Sequence, residues 1–289
     1  MKTTFAVNWH YGAATHPGWF RMINEDRSLL RIGTTSRGEP YAVAAIADGV
    51  GGSGDGSKAS ETALNQVRHW LDGQLHPLFR EADFWLRLNP EVSRLFRAIN
   101  EELIRLGNDA GCQISTTLTL LFLLNETFFI FHIGDCRVYH FNRGHLRQMT
   151  KDQSWISEQV RRGRLSKQQA RRHPRRNMLL QCLGAHKELQ LIRRTGFYTP
   201  GSLFVLCSDG FYNRITDSVM ERLLIEHDKA NTDVQQLSDV LVDRALDNRS
   251  NDNISVLLLK PLNPSFTGWR RACHRMKNIR MLFPVEWRK

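Results

Sequence analysis

With 289 residues, 41% of them hydrophobic and 24% charged, the chain is long enough for one large domain or two small ones and apolar enough to exclude global disorder. Its net charge is +11, but residues 161–176 and 269–289 carry +8 and +6, which leaves a slightly acidic body at −3. Charge gathered in two segments, with no aromatic-and-basic platform or helix-turn-helix pattern, argues against a nucleic-acid partner; five scattered cysteines with no CxxC pair argue against a zinc site or disulfide framework.

The first residues, MKTTFAVNWHYG, have one Lys and no sustained apolar stretch, so no secretory signal is expected. YAVAAIAD (41–48) has strand length and ends in turn chemistry. Over 57–71, Ala59, Ala63, Val67 and Leu71 recur every four residues. Over 91–106, Val92, Leu95, Phe96, Ile99, Leu103 and Leu106 mark one face, and both spacings predict helices. TTLTLLFLL (116–124) and TFFIFHIGD (127–135) are separated only by Asn125-Glu126, a hairpin signal. Cys136 to Phe141 and Leu146 to Met149 flank Asn142-Arg143-Gly144-His145, another hairpin, and hairpins imply antiparallel sheet. The longest apolar run, 117–124, falls far short of the roughly 18 residues a membrane-spanning helix needs, so a cytoplasmic protein is expected.

Segment 152–184 reads as short, polar, basic helices with His173-Pro174 as a stop, a surface insertion between strand-rich regions. SLFVLCSD (202–209) and NISVLLLK (253–260) predict two more strands, and Val234, Leu237, Leu241 and Ala245 a helix over 233–246. Residues beyond Pro261 and Pro264 read as an appended basic tail. Helices set between groups of hairpin strands suggest packed sheets with helices outside.

Three apolar strands end in Asp: Asp48 before Gly49-Val50-Gly51-Gly52, Asp135 in HIGDCR, and Asp209 before Gly210. Asp252 lies just before the strand NISVLLL, and Glu25-Asp26 forms a further acidic group. One Asp at a strand end is ordinary turn chemistry. Several could converge, because strands of one sheet place their ends together, and converging carboxylates repel unless a cation neutralises them. An all-oxygen set suits hard cations such as Mg²⁺ and Mn²⁺. Two such ions about 3.5–4 Å apart activate water and neutralise charge on a phosphoryl group. Arg21, four residues before Glu25, offers a donor fork for phosphate oxygens. The eleven histidines show no metal spacing, and Ser57–Ser60 reads as a helix start with no nucleophile elbow.

RMINED (21–26), ADGVGGSGDGSKAS (47–60), STTLTLLFL (115–123), HIGDCRVYHFNRGHLRQMTKDQS (132–154), LLQCLG (179–184), LCSDGFYNRITD (206–217) and SNDNISVLLL (250–259) together resemble the type-2C, metal-dependent Ser/Thr protein phosphatases (the PPM family), the bacterial branch in particular. The resemblance implies an α+β fold: a central antiparallel β-sandwich flanked by helices on both faces, with the metal site at one edge between the sheets. It implies a phosphatase domain over 1–262, with a basic flap at about 153–178 bordering the site, and a basic tail over 263–289. It implies two Mn²⁺ or Mg²⁺ ions, with Asp48 bridging them, the Gly49 carbonyl on one, and Asp209 and Asp252 on the other. Glu25 and Asp26 would hold metal-bound waters, Arg21 the substrate phosphate, and Asp135 a third ion.

The implied reaction is direct attack of water on phosphoserine and phosphothreonine. Implied partners are phosphorylated protein substrates and a cognate Ser/Thr kinase, for a chain expected to be monomeric. The alternative is a catalytically weak, phosphatase-like regulatory or binding module. There are departures from the family pattern. Val50 stands where some members have a His proposed as general acid, Cys136 replaces the usual Ser of the GDSR motif, and Gln181-Cys182 precede Leu-Gly. Leaving-group protonation is then left to water or another group. The flap reads either as a solvated helical surface or as a device that steers acidic or phosphorylated proteins to the site.

Overall fold

A computed structural model of the chain describes residues 9–51, 55–81, 84–199, 201–230 and 232–262; the tail expected at 263–289 lies outside the described residues. Ten strands are described: β1 (Trp9–His16), β2 (Asp26–Thr34), β3 (Pro40–Asp48), β4 (Leu118–Leu124), β5 (Thr127–Ile133), β6 (Arg137–Asn142), β7 (His145–Gln148), β8 (Ile192–Phe197), β9 (Leu203–Cys207) and β10 (Ile254–Pro261). They form two five-stranded sheets, ordered β2-β3-β4-β5-β8 and β1-β10-β9-β6-β7. Every pairing is antiparallel.

Side-chain alternation explains why the central strands are apolar throughout. On β3, Ala42, Ala44 and Ile46 face the other sheet, packing with Phe128, Ile130, Val138, Phe204, Leu206 and Leu257. Tyr41, Val43, Ala45 and Ala47 point the opposite way, into the helical layer. A strand buried on both faces has no polar side, so the period-2 signal vanishes and a continuous apolar run remains.

Helix α1 (Gly56–Trp70) is capped by the Asp55 side chain, which accepts from the Lys58 N–H at 2.9 Å. It runs on through a π turn (Leu71–Leu75) and one further turn (His76–Leu78). With α2 (Phe84–Ala110) it covers the outer face of the first sheet. Helices α3 (Trp155–Arg161), α4 (Lys167–Arg171) and α5 (Asp209–Tyr212) are short. Helices α6 (Asp217–Ala230) and α7 (Val234–Asp247) cover the second sheet, where Met220, Leu224, Leu237 and Leu241 pack on Val205, Val256 and Leu258. The molecule is the helix–sheet–sheet–helix sandwich expected from the resemblance.

Helix α2 begins seven residues earlier than its sequence signal at 91, so Pro90 lies inside it. The extension is held by aromatic packing: Phe84 stacks on Phe79 at 4.9 Å and Trp85 on Phe129 at 4.4 Å. Pro90 has no N–H to complete the helical ladder. Restoring it with Pro90→Ala is expected to raise stability by about 1–2 kcal/mol, net of the added freedom of the unfolded chain. Chemical denaturation checks this, and a neutral or destabilised variant would place the helix start after Pro90.

Candidate active site

The acidic residues come from both sheets. Asp26 opens β2 and Asp48 closes β3, and the antiparallel register sets them directly opposite each other. Like charges in that position destabilise a sheet unless something lies between them. From the other sheet, Asp209 follows β9 and Asp252 precedes β10. Gly210 makes their approach possible, since a Cβ there would stand 2.1 Å from the Asn253 carbonyl oxygen. Asp135 lies between β5 and β6, where the chain crosses from one sheet to the other.

Backbone clamps free the Asp48 carboxylate. The Asp48 N–H donates to Thr117 Oγ1 at 2.9 Å, and its carbonyl accepts from the Thr117 N–H at 2.9 Å and Thr116 Oγ1 at 2.8 Å. The carboxylate itself takes no hydrogen bond among the described residues, and neither does the Gly49 carbonyl. Gly49 packs face to face on Gly56, where a Cβ would meet the Gly56 carbonyl oxygen at 2.2 Å. Glu25 is held by its backbone: its N–H donates to Asn253 Oδ1 at 2.8 Å and its carbonyl accepts from Ser60 Oγ and the Gly49 N–H. Asp26 Oδ2 accepts from Ser208 Oγ at 2.6 Å, while Asp26 Oδ1 is buried with no partner.

The electrostatics are those of crowded acids. Burial first, then the negative charges of Asp26, Asp209, Asp135 and Asp252, raise the Asp48 carboxyl well above its usual range. Asp209 is raised likewise, by burial and then by Asp135, Asp252 and Asp26. Burial pushes Asp135 up to about 7, with Asp152 adding to it. Asp26 rises to about 6, mainly through burial, although its serine hydrogen bonds oppose the shift.

An unpartnered buried oxygen on Asp26, a bare Asp48 carboxylate and an all-oxygen donor set fit hard divalent cations. Among the described residues, no group of three or more His, Cys, Asp or Glu side chains stands close enough together to hold a metal ion as they are placed. Mg²⁺-like ions keep several waters and need only one or two carboxylates each, so separated carboxylates are compatible with them.

Arg21 is exposed and reaches into the cluster. Its Nη2 lies 3.2 Å from Asp252 Oδ1 and its Nη1 4.0 Å from Glu25 Oε2. Around it Trp19, Phe20, Met22 and Ile23 are all exposed. A cleft of about 1040 Å³ opens from Asp135, Asp209 and Asp252 and runs between the flap and the segment after β9. Asp48, Gly49, Glu25, Asp26 and Arg21 do not line it; they stand behind or beside its acidic end.

Residues 22–244 match the family described as Protein phosphatase 2C. The chain belongs to that family. It is similar to the serine/threonine phosphatase Stp of Listeria monocytogenes, 29% identical over 255 residues, which cover 87% of this chain and 95% of that one. Among solved structures, the Mycobacterium tuberculosis serine/threonine phosphatase PstP/Ppp superposes with a TM-score of 0.70 at 25% identity, covering 88% of this chain and 99% of that chain. The catalytic domain of PstP in complex with two manganese ions superposes at 0.71 with 24% identity, again over 88% and 99% of the two chains.

Sequence reasoning passed over the network that carries this phosphatase's site to its flap. Arg137 grips Asp152 through Nε–Oδ1 at 3.1 Å and Nη2–Oδ2 at 2.7 Å, donates to Tyr139 OH at 2.9 Å, and lies 3.6 Å over the Tyr212 ring. Tyr212 OH in turn donates to Asp135 Oδ2 at 3.3 Å. Burial works against the Arg137 charge, yet Asp152 together with the Tyr139 and Tyr212 oxygens outweighs it and holds the guanidinium well above its usual value. The signal was present: an Arg opening a buried strand requires a carboxylate, and TKDQS supplies one. His132, by contrast, is a packed residue, fully buried with its Nδ1 2.8 Å from Thr119 Oγ1.

Two outcomes follow from this geometry. With side-chain exposures of 19% and 7%, Arg137 and Asp152 form a largely buried pair. Asp152→Asn is expected to cost about 3–5 kcal/mol in a urea titration, by leaving the guanidinium uncompensated; a change under about 1 kcal/mol would mean the pair is dispensable.

The second concerns pH. Because Asp26 and Asp135 rise from 3.8 to about 6 and about 7, the folded metal-free protein keeps protons over that interval that the unfolded chain has released. That contribution to stability is complete below 3.8 and is lost as pH rises through about 6 to 7. A cation must displace those protons, so Mn²⁺ is expected to raise Tm more at about pH 8 than at about pH 5.5. Equal increments at the two pH values, read by calorimetry, would contradict the titration assigned to these carboxylates.

Proposed function

We propose that this phosphatase hydrolyses phosphoserine and phosphothreonine in proteins by direct attack of water, as a cytoplasmic monomer that opposes a Ser/Thr kinase, within a domain spanning 1–262. The observation that carries the reading is the set of mutually repelling carboxylates at the end of a cleft roomy enough for a peptide. Asp48, the Gly49 carbonyl, Asp209 and Asp252 would hold two Mn²⁺ or Mg²⁺ ions and Asp135 a third, in keeping with the two manganese ions of the PstP complex. Such ions, when bound, lower the pKa of water and neutralise developing charge on a phosphoryl group.

The chain's own groups do the rest. Arg21 presents a planar donor fork to the phosphate oxygens. It now rests on Asp252 and Glu25, and pairing lost at Asp252 frees it for substrate. The Glu25 and Asp26 carboxylates accept hydrogen bonds from water and keep it in the site. The exposed Trp19, Phe20, Met22 and Ile23 beside Arg21 offer an apolar surface to a polypeptide, which a small phosphate ester would not require. Val50 brings no proton, so the leaving alkoxide draws its proton from water.

The test is phosphate release from a phosphothreonine peptide with Mn²⁺, with EDTA, and with variants. EDTA and Asp209→Asn are each expected to lower kcat/KM more than about 100-fold, since several kcal/mol of transition-state stabilisation are removed. Arg21→Ala is expected to lower it about 10- to 100-fold, the worth of a charge-assisted hydrogen bond of about 1.5–3 kcal/mol. Turnover that survives EDTA, or an Asn variant as active as wild type, contradicts the reading.

A further inference from the structure

The cleft holds more charge than hydrolysis of a phosphate monoester needs. Beyond its acidic end two carboxylates stand on its walls: Asp152, neutralised by Arg137, and Asp217, whose Oδ1 accepts from the neutral Tyr139 hydroxyl at 3.0 Å and which keeps its charge. The cations on its walls outnumber that one free carboxylate. Lys151 and Arg176 have no carboxylate partner among the described residues. Arg214 bonds only a neutral amide, Asn251 Oδ1, at 3.0 Å, and so keeps its full charge. Arg161 shares a single carboxylate, Glu158, with Arg162, leaving one excess positive charge on that turn of the flap.

This arrangement is built into the fold. The flap is closed at its base by a bridge between Ser154 and Leu179, with Trp155 N–H donating to the Met178 carbonyl at 2.8 Å and Leu180 N–H to the Gln153 carbonyl at 2.7 Å. Trp155 packs against His173 at 4.8 Å and lies under Arg175 at 5.4 Å. These contacts fix the flap, from which Arg176 and Arg161 line the same cleft as Arg214. At about 1040 Å³, the cleft matches or exceeds the roughly 300–1,000 Å³ of pockets that take drug-sized ligands, so it has room for residues on either side of a phosphorylated one.

We propose that the cleft between flap and core selects phosphopeptides with Asp or Glu beside the phosphorylated residue, and that Lys151, Arg161, Arg176 and Arg214 make the selection. The inference rests on the proposed function, because divalent cations at the acidic end neutralise Asp135, Asp209 and Asp252 and leave the loaded cleft net positive. Acidic flanks are then favoured by complementarity and steered inward before contact. Basic flanks meet like charge.

Three phosphothreonine peptides, with acidic, neutral and basic residues on both sides, test this with Mn²⁺-loaded full-length protein. The acidic-to-neutral ratio of kcat/KM is measured within each variant, so any general damage cancels. Wild type is expected to favour the acidic peptide about tenfold at low salt, from a few exposed pairs worth roughly 2- to 5-fold each. The preference should reside in KM and shrink at high salt, where the screening length falls from about 10 Å to about 3 Å.

Lys151→Gln/Arg176→Gln is expected to bring the ratio down at least about threefold, and Lys151→Arg/Arg176→Lys, which keeps the charge, to retain it. A wild-type ratio near one, while the neutral peptide and p-nitrophenyl phosphate are still turned over with Mn²⁺, overturns the inference and leaves the proposed function standing. A wild-type preference that the Gln pair does not change also overturns it. Loss of metal-dependent turnover on every substrate overturns both.

Discussion

Repulsion among Asp26, Asp48, Asp135, Asp209 and Asp252 is the constraint on which the site depends. Each is raised, or raises another, through burial and neighbouring negative charge. A fold that only had to be stable would not set Asp26 across from Asp48 in a strand pair. The cost is offset once positive charge enters, and the rigid backbone around each acid keeps it from relaxing away. Thr116 and Thr117 pin Asp48, Asn253 pins Glu25, and Ser208 holds one oxygen of Asp26 while the other stays bare.

The sandwich is what makes this tension sustainable. Two sheets, each packed on both faces, fix the strand ends to which the acids belong. Asp26 and Asp48 come from one sheet, Asp209 and Asp252 from the other, and Asp135 from the crossing between them. A small slide of one sheet past the other would change every spacing in the cluster at once. Close packing of alanines on β3 against the bulky side chains of the facing sheet resists that slide.

The central strands and long helices were legible in the sequence because burial on both faces leaves unbroken apolar runs, and burial on one helix face leaves a four-residue rhythm. What escaped were three of the four strands at the sheet edges, β1, β2 and β8, and helix α6; the fourth, β7, was betrayed by its hairpin turn. Edge strands are half exposed: β1 mixes Trp9 and Gly12 with exposed His10 and Tyr11, so its pattern resembles a loop. The acids were legible as strand-end residues in recurring motifs. The Arg137–Asp152–Tyr212 link was not, since its members are spread over 76 positions and only the fold joins them. The unequal pairing of charges along the cleft was invisible for the same reason: composition counts cations, and only contacts show which are neutralised.

The most direct measurement is a calorimetric titration of metal-free protein with Mn²⁺ in two buffers of different ionisation heat, giving stoichiometry and protons released together. Two or more ions per chain are expected, with net proton release near neutral pH, and Asp48→Asn should reduce both. Stoichiometry and proton release unchanged by Asp48→Asn would contradict the assignment of these carboxylates as the metal centre.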